Sequence, residues 1–277
     1  MLSSNAAPDA AFTMSTPASG DEMRDETNRR VSQSIAAALA LLNQVFMPQR
    51  RIVHAGDVIY QSGERFDNLY VLNSGFFKVV NLAPDGRELV VGLKFRGDWL
   101  GFDGIAGGRH SCDAVAMDTG EIWVLRYEQL LEASLRQPEL LRLLHEAMSR
   151  EIAHDREALM SVCTLSADAR VADFLRYWAE SLARRGMRTD QITLRMTRAE
   201  IGNYLGMTLE TVSRALSRLG EQLDTEWSQP VVELARQPYS RVIYLGSGPL
   251  EAAAREAALK LLELTAGRVT ALANTPL

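Results

Sequence analysis

Residues Met196–Leu219 read MTRAEIGNYLGMTLETVSRALSRL, and the local chemistry of this stretch decides the fold around it. Thr197 followed three residues later by Glu200 is a capping box, in which each side chain satisfies a backbone N–H beside the other, so a helix starts there and runs to Leu205. Gly206 breaks it. Thr208 is a second N-cap, with Thr211 three residues on in place of a Glu or Gln, and the new helix runs through Leu219. Ile201, Leu205, Val212 and Leu216 close a small core between the two helices, which with the short Gly turn is a helix-turn-helix pattern. The N-terminal face of the second helix then offers Glu210, Ser213 and Arg214. These types suit the major groove of DNA: Arg grips guanine O6 and N7, Glu accepts from cytosine N4, and Ser takes a base or phosphate contact. Thr197, Arg198, Thr208, Thr211 and Arg218 flank them with hydroxyls and cations suited to the phosphate backbone. A plain helical hairpin with solvated charges has the same two-helix pattern.

The surrounding chain narrows that choice. Its 277 residues suit about two domains, and 47% hydrophobic residues is ordinary for a globular protein. A net charge of −5 argues against a uniformly basic nucleic-acid binder. Between Ala167 and Gly220, however, nine Arg face six carboxylates, a local net charge of +3. Cys112 and Cys163 have no CxxC partner, so neither a disulfide framework nor a zinc site is expected, and the chain reads as cytoplasmic. The four His show no metal-ligand spacing. SIAAALALLNQVF (Ser34–Phe46) is too short to cross a bilayer and too deep for a secretory signal, which leaves an amphipathic helix and no membrane partner.

Composition divides the chain further. Residues 1–28, rich in Ala, Ser, Pro and acids, are expected to form a disordered tail. Residues 29–137 carry short β-rich runs punctuated by Gly, with Asp85-Gly86 as a hairpin signal between Val79-Val80 and Leu89-Val90-Val91. They predict an antiparallel β-barrel or jelly roll. Over 138–163 a long helix is expected, with Met148, Ile152, Asp155, Leu159 and Val162 in the a/d rhythm of a coiled-coil seam. The same face could instead cover the barrel. Asp155 favours a seam, because in a symmetric dimer a carboxylate faces its own copy and weakens association. Residues 164–220 hold ADARVADFLRYWAESLARRG and the helix-turn-helix, and 221–277 form a separate tail. The fold class is therefore α+β: barrel, dimer helix, helix-turn-helix and an incomplete βαβ tail.

GDVIYQSGERFDNLYVLNSGFFKV (56–79), GDWLGFDGI (97–105), the Glu151-Ile152 and Asp155 pattern and MTRAEIGNYLGMTLETVSR (196–214) resemble the CRP/FNR superfamily of bacterial transcription regulators. Over about 50–219 the chain is most similar to the branch named for the fumarate and nitrate reductase regulator. The resemblance implies a cyclic-nucleotide-binding-like barrel and a homodimer on palindromic DNA of the TTGAT…ATCAA type, with Glu210, Ser213 and Arg214 reading bases and RNA polymerase as a partner. It implies no catalytic residue. That branch carries a 4Fe–4S cluster on four cysteines. Here no Cys precedes Cys112, and Trp123 in GEIWVLR stands at the barrel cysteine's place, so no cluster is expected. The cyclic-nucleotide branch uses a Gly-Glu-Leu turn and an Arg-Ser pair. In WLGFDGIAGGRHSCDA (99–114), Phe102 holds the Glu position and Arg109 is followed by His110, so that ligand is not expected either.

From about Asp224 the tail resembles part of a sugar isomerase (SIS) domain. RVIYL (241–245), the GSG loop, a helix over 249–267 and RVTALA (268–273) read as one βαβ unit. PVVELA (230–235) and RVIYLG, around RQPYS, could alternatively pair as a substitute wing beside the recognition helix. Three functions follow in order: a sequence-specific regulator, a regulator disabled by its tail, and a phosphosugar-binding or isomerase protein built on the GSG loop.

Overall fold

The computed structural model describes residues 20–82, 88–189, 192–235, 241–245 and 270–274. The chain divides into two units, 1–219 and 220–277. The first begins with α1 (Gly20–Phe46), so residues 20–28 of the expected tail are helical. Glu26 is the physical reason that composition hid: it pairs with Arg30 at 3.0 Å and Arg29 at 3.6 Å, one helical turn away.

Eight strands then form two antiparallel sheets. One runs β1 (Gln49–Val53), β8 (Gly120–Arg126), β3 (Asn68–Ser74), β6 (Trp99–Leu100). The other runs β2 (Val58–Tyr60), β7 (Asp113–Ala116), β4 (Phe77–Leu82), β5 (Glu88–Lys94). This is the expected jelly roll. β4 and β5 pair from Phe77↔Lys94 to Leu82↔Glu88, as the hairpin signal requires, although Asp85 and Gly86 lie outside the described residues.

Period-two alternation explains the layers. In β8, Ile122 points between the sheets with Val53, Leu72, Phe77 and Leu100, whereas Trp123 and Leu125 point outward. The outward face is covered by Leu39 and Leu42 of α1, Leu130 of α2 (Tyr127–Arg136) and Leu140, Leu144 and Ala147 of α3 (Pro138–Thr164). A third cluster joins Val90, Leu93 and Phe95 of the barrel to Val171, Phe174 and Trp178 of α4 (Ala167–Ala183). It also takes in Ile201 and Leu205 of α5 (Arg198–Leu205) and Val212 and Ala215 of α6 (Leu209–Ala235). Trp178 is fully buried, stacked on Phe76 at 5.8 Å and edge-on to Phe95 at 5.3 Å.

The expectation of a substitute wing fails on one fact. α6 does not stop at Leu219 but continues to Ala235, so PVVELA is helical and forms no strand of a substitute wing. Leu219, Leu223, Trp227 and Val231 recur every four residues, a helical period that outweighs the short β-branched run. In the second unit β9 (Arg241–Leu245) pairs parallel with β10 (Thr270–Asn274), the pairing of a βαβ unit. The helix expected between them lies outside the described residues. No described helix is long and apolar enough to cross a membrane.

Candidate nucleic-acid interface

The reading head is assembled by caps. Thr197 accepts from the Glu200 N–H at 3.2 Å, and Glu200 accepts from the Thr197 N–H at 2.8 Å, which completes the capping box. Such a cap stabilises a helix by about 1 kcal/mol. Gly206 ends α5 in the left-handed region at φ 65°, where a side chain is disfavoured. Thr208 then opens α6, accepting from the Thr211 N–H at 3.3 Å, and the two hydroxyls lie 3.1 Å apart. A feature that sequence reading missed is Gly202. A Cβ there would lie 2.6 Å from the Met207 carbonyl oxygen, so α5 and the turn touch backbone to backbone.

Glu210, Ser213 and Arg214 sit at i, i+3 and i+4 in the first turns of α6, on one face. Glu210 and Arg214 are exposed and Ser213 is half-buried. The Glu210 carboxylate is held below its ordinary pKa by its own backbone N–H, then by the Thr208 hydroxyl and Arg214. Ser213 accepts from Arg198 Nη1 at 3.3 Å, which brings one expected phosphate contact onto one expected base contact. Thr197, Arg198 and Thr208 are exposed and Thr211 half-buried beside them.

Arg218, the remaining expected phosphate contact, is exposed and also ion-paired within the chain. Its guanidinium grips Asp168 of α4, with Nε 2.8 Å from Oδ2. Other arginines behind the local net charge likewise bond groups of the same chain. Arg185 spans both Asp98 oxygens at 2.8 Å and lies over the Phe95 ring at 4.9 Å, while Arg195 pairs with Asp118 at 3.1 Å and Arg170 donates to the Leu205 carbonyl at 3.1 Å. The positive count in the sequence is therefore partly structural. Lys78 of β4, also missed, donates to Glu200 at 2.5 Å and ties the barrel to the capping box. Such pairs join residues far apart in sequence and leave no local pattern.

Along α3 the expected seam residues separate into two groups. Ile152 (49% exposed), Asp155 and Leu159 (64% exposed) face outward, joined by Met160. Met148 instead packs into the barrel-side cluster, and Val162 is half-buried beside Gly206. Between the exposed positions, His154 stacks on Tyr177 of α4 at 4.4 Å, and its Nε2 lies 3.3 Å from the Tyr204 hydroxyl of α5.

In the barrel, the turn between β6 and β7 is closed by Asp103. Oδ2 accepts from the Ser111 N–H at 2.7 Å, the Cys112 N–H at 3.3 Å and the Cys112 thiol at 3.2 Å. The Ser111 hydroxyl lies 3.4 Å from the same oxygen. Tyr60 donates to Oδ1 at 3.3 Å, and His110 Nδ1 is 3.4 Å from it. Burial raises the Asp103 pKa, but the hydrogen bonds of His110, Ser111 and Cys112 outweigh it and bring the pKa down to about 2. Burial and this carboxylate push the Cys112 thiol up to about 12, the reverse of a thiolate ligand. Cys163 is exposed on α3. Trp123 is buried, its Nε1 donating to Glu121 at 2.7 Å. Among the described residues no group of three or more His, Cys, Asp or Glu could hold a metal. Arg109, the cation nearest in sequence to the turn, donates to the Gly63 carbonyl at 2.7 Å. The backbone N–H donors of this turn, of Ser111 and Cys112, are thus already bonded to a carboxylate.

Comparison with known proteins agrees with this architecture. The sequence profile of a cyclic nucleotide-binding domain matches residues 50–137, and that of a Crp-like helix-turn-helix domain matches residues 169–222. The chain is 34% identical over 168 residues to the transcriptional activator protein Anr of Pseudomonas protegens, covering 61% of this chain and 69% of that protein. It is 32% identical over 170 residues to the fumarate and nitrate reduction regulatory protein of Escherichia coli, covering 61% and 68%. Among solved structures it is similar to FixK2 of Bradyrhizobium japonicum, with a TM-score of 0.57 and 28% identity over 63% of this chain and 85% of that one. Jelly roll, long helix and helix-turn-helix thus occur in one order with matching sequence, and the chain belongs to the CRP/FNR family of transcription regulators.

Proposed function

We propose that the chain regulates transcription in the cytoplasm as a homodimer, each α6 reading one half of a TTGAT…ATCAA palindrome, with RNA polymerase as its further partner. The observation that carries this reading is the shared face of Glu210, Ser213 and Arg214, placed at the start of α6 by two caps. Thr197, Arg198, Thr208, Thr211 and Arg218 hold the phosphates beside it, Arg218 while also bonded to Asp168 of α4. Ile152, Asp155 and Leu159 form the two-fold seam. In this reading the barrel carries neither an iron–sulfur cluster nor a cyclic nucleotide, and the chain catalyses no reaction.

Fluorescence anisotropy tests it with the palindrome and a scrambled duplex across a salt series. The palindrome is expected to be preferred by about 4 kcal/mol or more, with affinity falling as salt rises. Arg214→Ala is expected to cost about 1–3 kcal/mol on the palindrome and little on the scrambled duplex. Equal, weak binding to both would sink the reading. It would favour a second one, in which the tail disables the regulator, which rests on the extension of α6 through the segment expected to supply a wing. The resemblance of the tail to a sugar isomerase domain adds a phosphosugar as a third candidate ligand, tested by thermal shift.

A further inference from the structure

Asp103 does more than tie a turn. Two consecutive backbone N–H groups, of Ser111 and Cys112, converge on one of its oxygens, with the Ser111 hydroxyl and the Cys112 thiol beside them. Successive N–H groups aimed at one point form a concavity that binds anions, whether the anion is free or tethered. We propose that Asp103 is a tethered anion that fills a small-anion seat in the barrel and so determines specificity, closing the turn to phosphate-bearing ligands.

Three observations carry this. The tether is short and fixed: Asp103 lies in the single 3-10 turn Phe102–Gly104. A Cβ on Gly104 would come within 2.7 Å of the Phe66 ring, and Gly101 is left-handed at φ 101°. These close approaches fix the backbone of the turn that carries the carboxylate. Second, the seat is open to water, since the Asp103 side chain is 18% exposed and Ser111 is exposed. What keeps another anion out is occupancy and like charge rather than a wall. Third, Arg109 is turned to the Gly63 carbonyl, to which its Nη1 donates at 2.7 Å, and no ion pair or hydrogen bond between it and Asp103 is found among the described residues. Phe102 and Ile105, close to Asp103 in sequence, pack against the cluster that includes Leu140 and Leu144 of α3.

The test compares the full-length wild type with Asp103→Ala, which empties the seat, and Asp103→Asn, which keeps its volume without the charge. Each is titrated with formate, inorganic phosphate and 3′,5′-cyclic AMP against chloride at matched ionic strength, and melting temperature is followed. The wild type is expected to be indifferent to all three. Asp103→Ala is expected to melt lower and to regain several degrees saturably with formate or phosphate, whereas Asp103→Asn regains nothing. A saturable rise in the wild type overturns the proposal, as does an Asp103→Ala protein that no anion restores. If Asp103→Ala does not fold, amide chemical shifts of Ser111 and Cys112 in the wild type decide. Their indifference to phosphate supports a filled seat, and a saturable shift overturns it.

Discussion

Glu200 shows how one side chain can serve both the local and the long-range structure. Its carboxylate accepts from the Thr197 N–H at 2.8 Å and the Thr197 hydroxyl at 2.9 Å, and it receives Lys78 from the barrel. Burial raises its pKa, but the bonds from Lys78 and Thr197 outweigh that and hold it below the ordinary carboxylate value. A depressed folded-state pKa gives stability that is present above the unfolded value, near 4.5, and is lost as pH falls through the folded one. Lys78→Met is therefore expected to cost about 1–2 kcal/mol at neutral pH, between an exposed and a buried pair. The gap to wild type should narrow as pH falls from about 4.5 and close below the depressed folded-state value, where both proteins have protonated Glu200. Urea unfolding of both proteins across pH checks this. A gap that stayed constant into acid would show that Lys78 acts by packing alone.

At the scale of elements, the geometry of the reading head depends on how closely α5 meets the turn before α6. Gly202 permits that approach, since an added Cβ would strike the Met207 carbonyl oxygen at 2.6 Å and the Thr208 backbone at 3.3 Å. Gly202→Ala is expected to destabilise by about 1–3 kcal/mol despite better helix propensity, and to weaken DNA binding by shifting the start of α6. Gly220→Ala is the control: it sits within α6 with no atom of the described residues within 4 Å of its Cβ position, and should stabilise by up to about 1 kcal/mol. Thermal unfolding of the two variants should shift in opposite directions. The caps of this region were legible in the sequence because Thr197, Glu200, Gly206 and Thr208 act on neighbours within four residues. Gly202 was not, because its reason is backbone brought close by the turn. Lys78 with Glu200 and Arg218 with Asp168 were hidden for a related cause, since the partners are far apart in the chain. The β-branched residues in PVVELA misled, because a short run carries less information than the four-residue period of α6.

At the scale of the whole molecule, α3 changes role along its length. Its first half buries Leu140, Leu144 and Ala147 against the barrel, whereas its second half leaves Ile152, Leu159 and Met160 uncovered. A monomer gains nothing from three large apolar side chains in water, and a two-fold axis along this face would bury them against their copies. In the proposed homodimer the same axis would bring Asp155 towards its own copy, where two carboxylates repel and lose water. Association through the proposed seam would thus be a balance, which single substitutions should tip either way. Asp155→Ala is expected to tighten the monomer–dimer equilibrium by about tenfold or more, and Leu159→Ser to weaken it by a similar factor. Both positions are exposed within one chain, so the melting temperature of the monomer should change little. His154, adjacent to Asp155, reaches Tyr177 and Tyr204, so seam and reading head share a contact, and palindrome affinity should follow the dimer constant in both variants. Sedimentation equilibrium beside anisotropy measures the two together: a dimer constant unmoved by Asp155→Ala would place the two-fold axis elsewhere, and one that moved without any change in DNA affinity would uncouple dimerisation from reading.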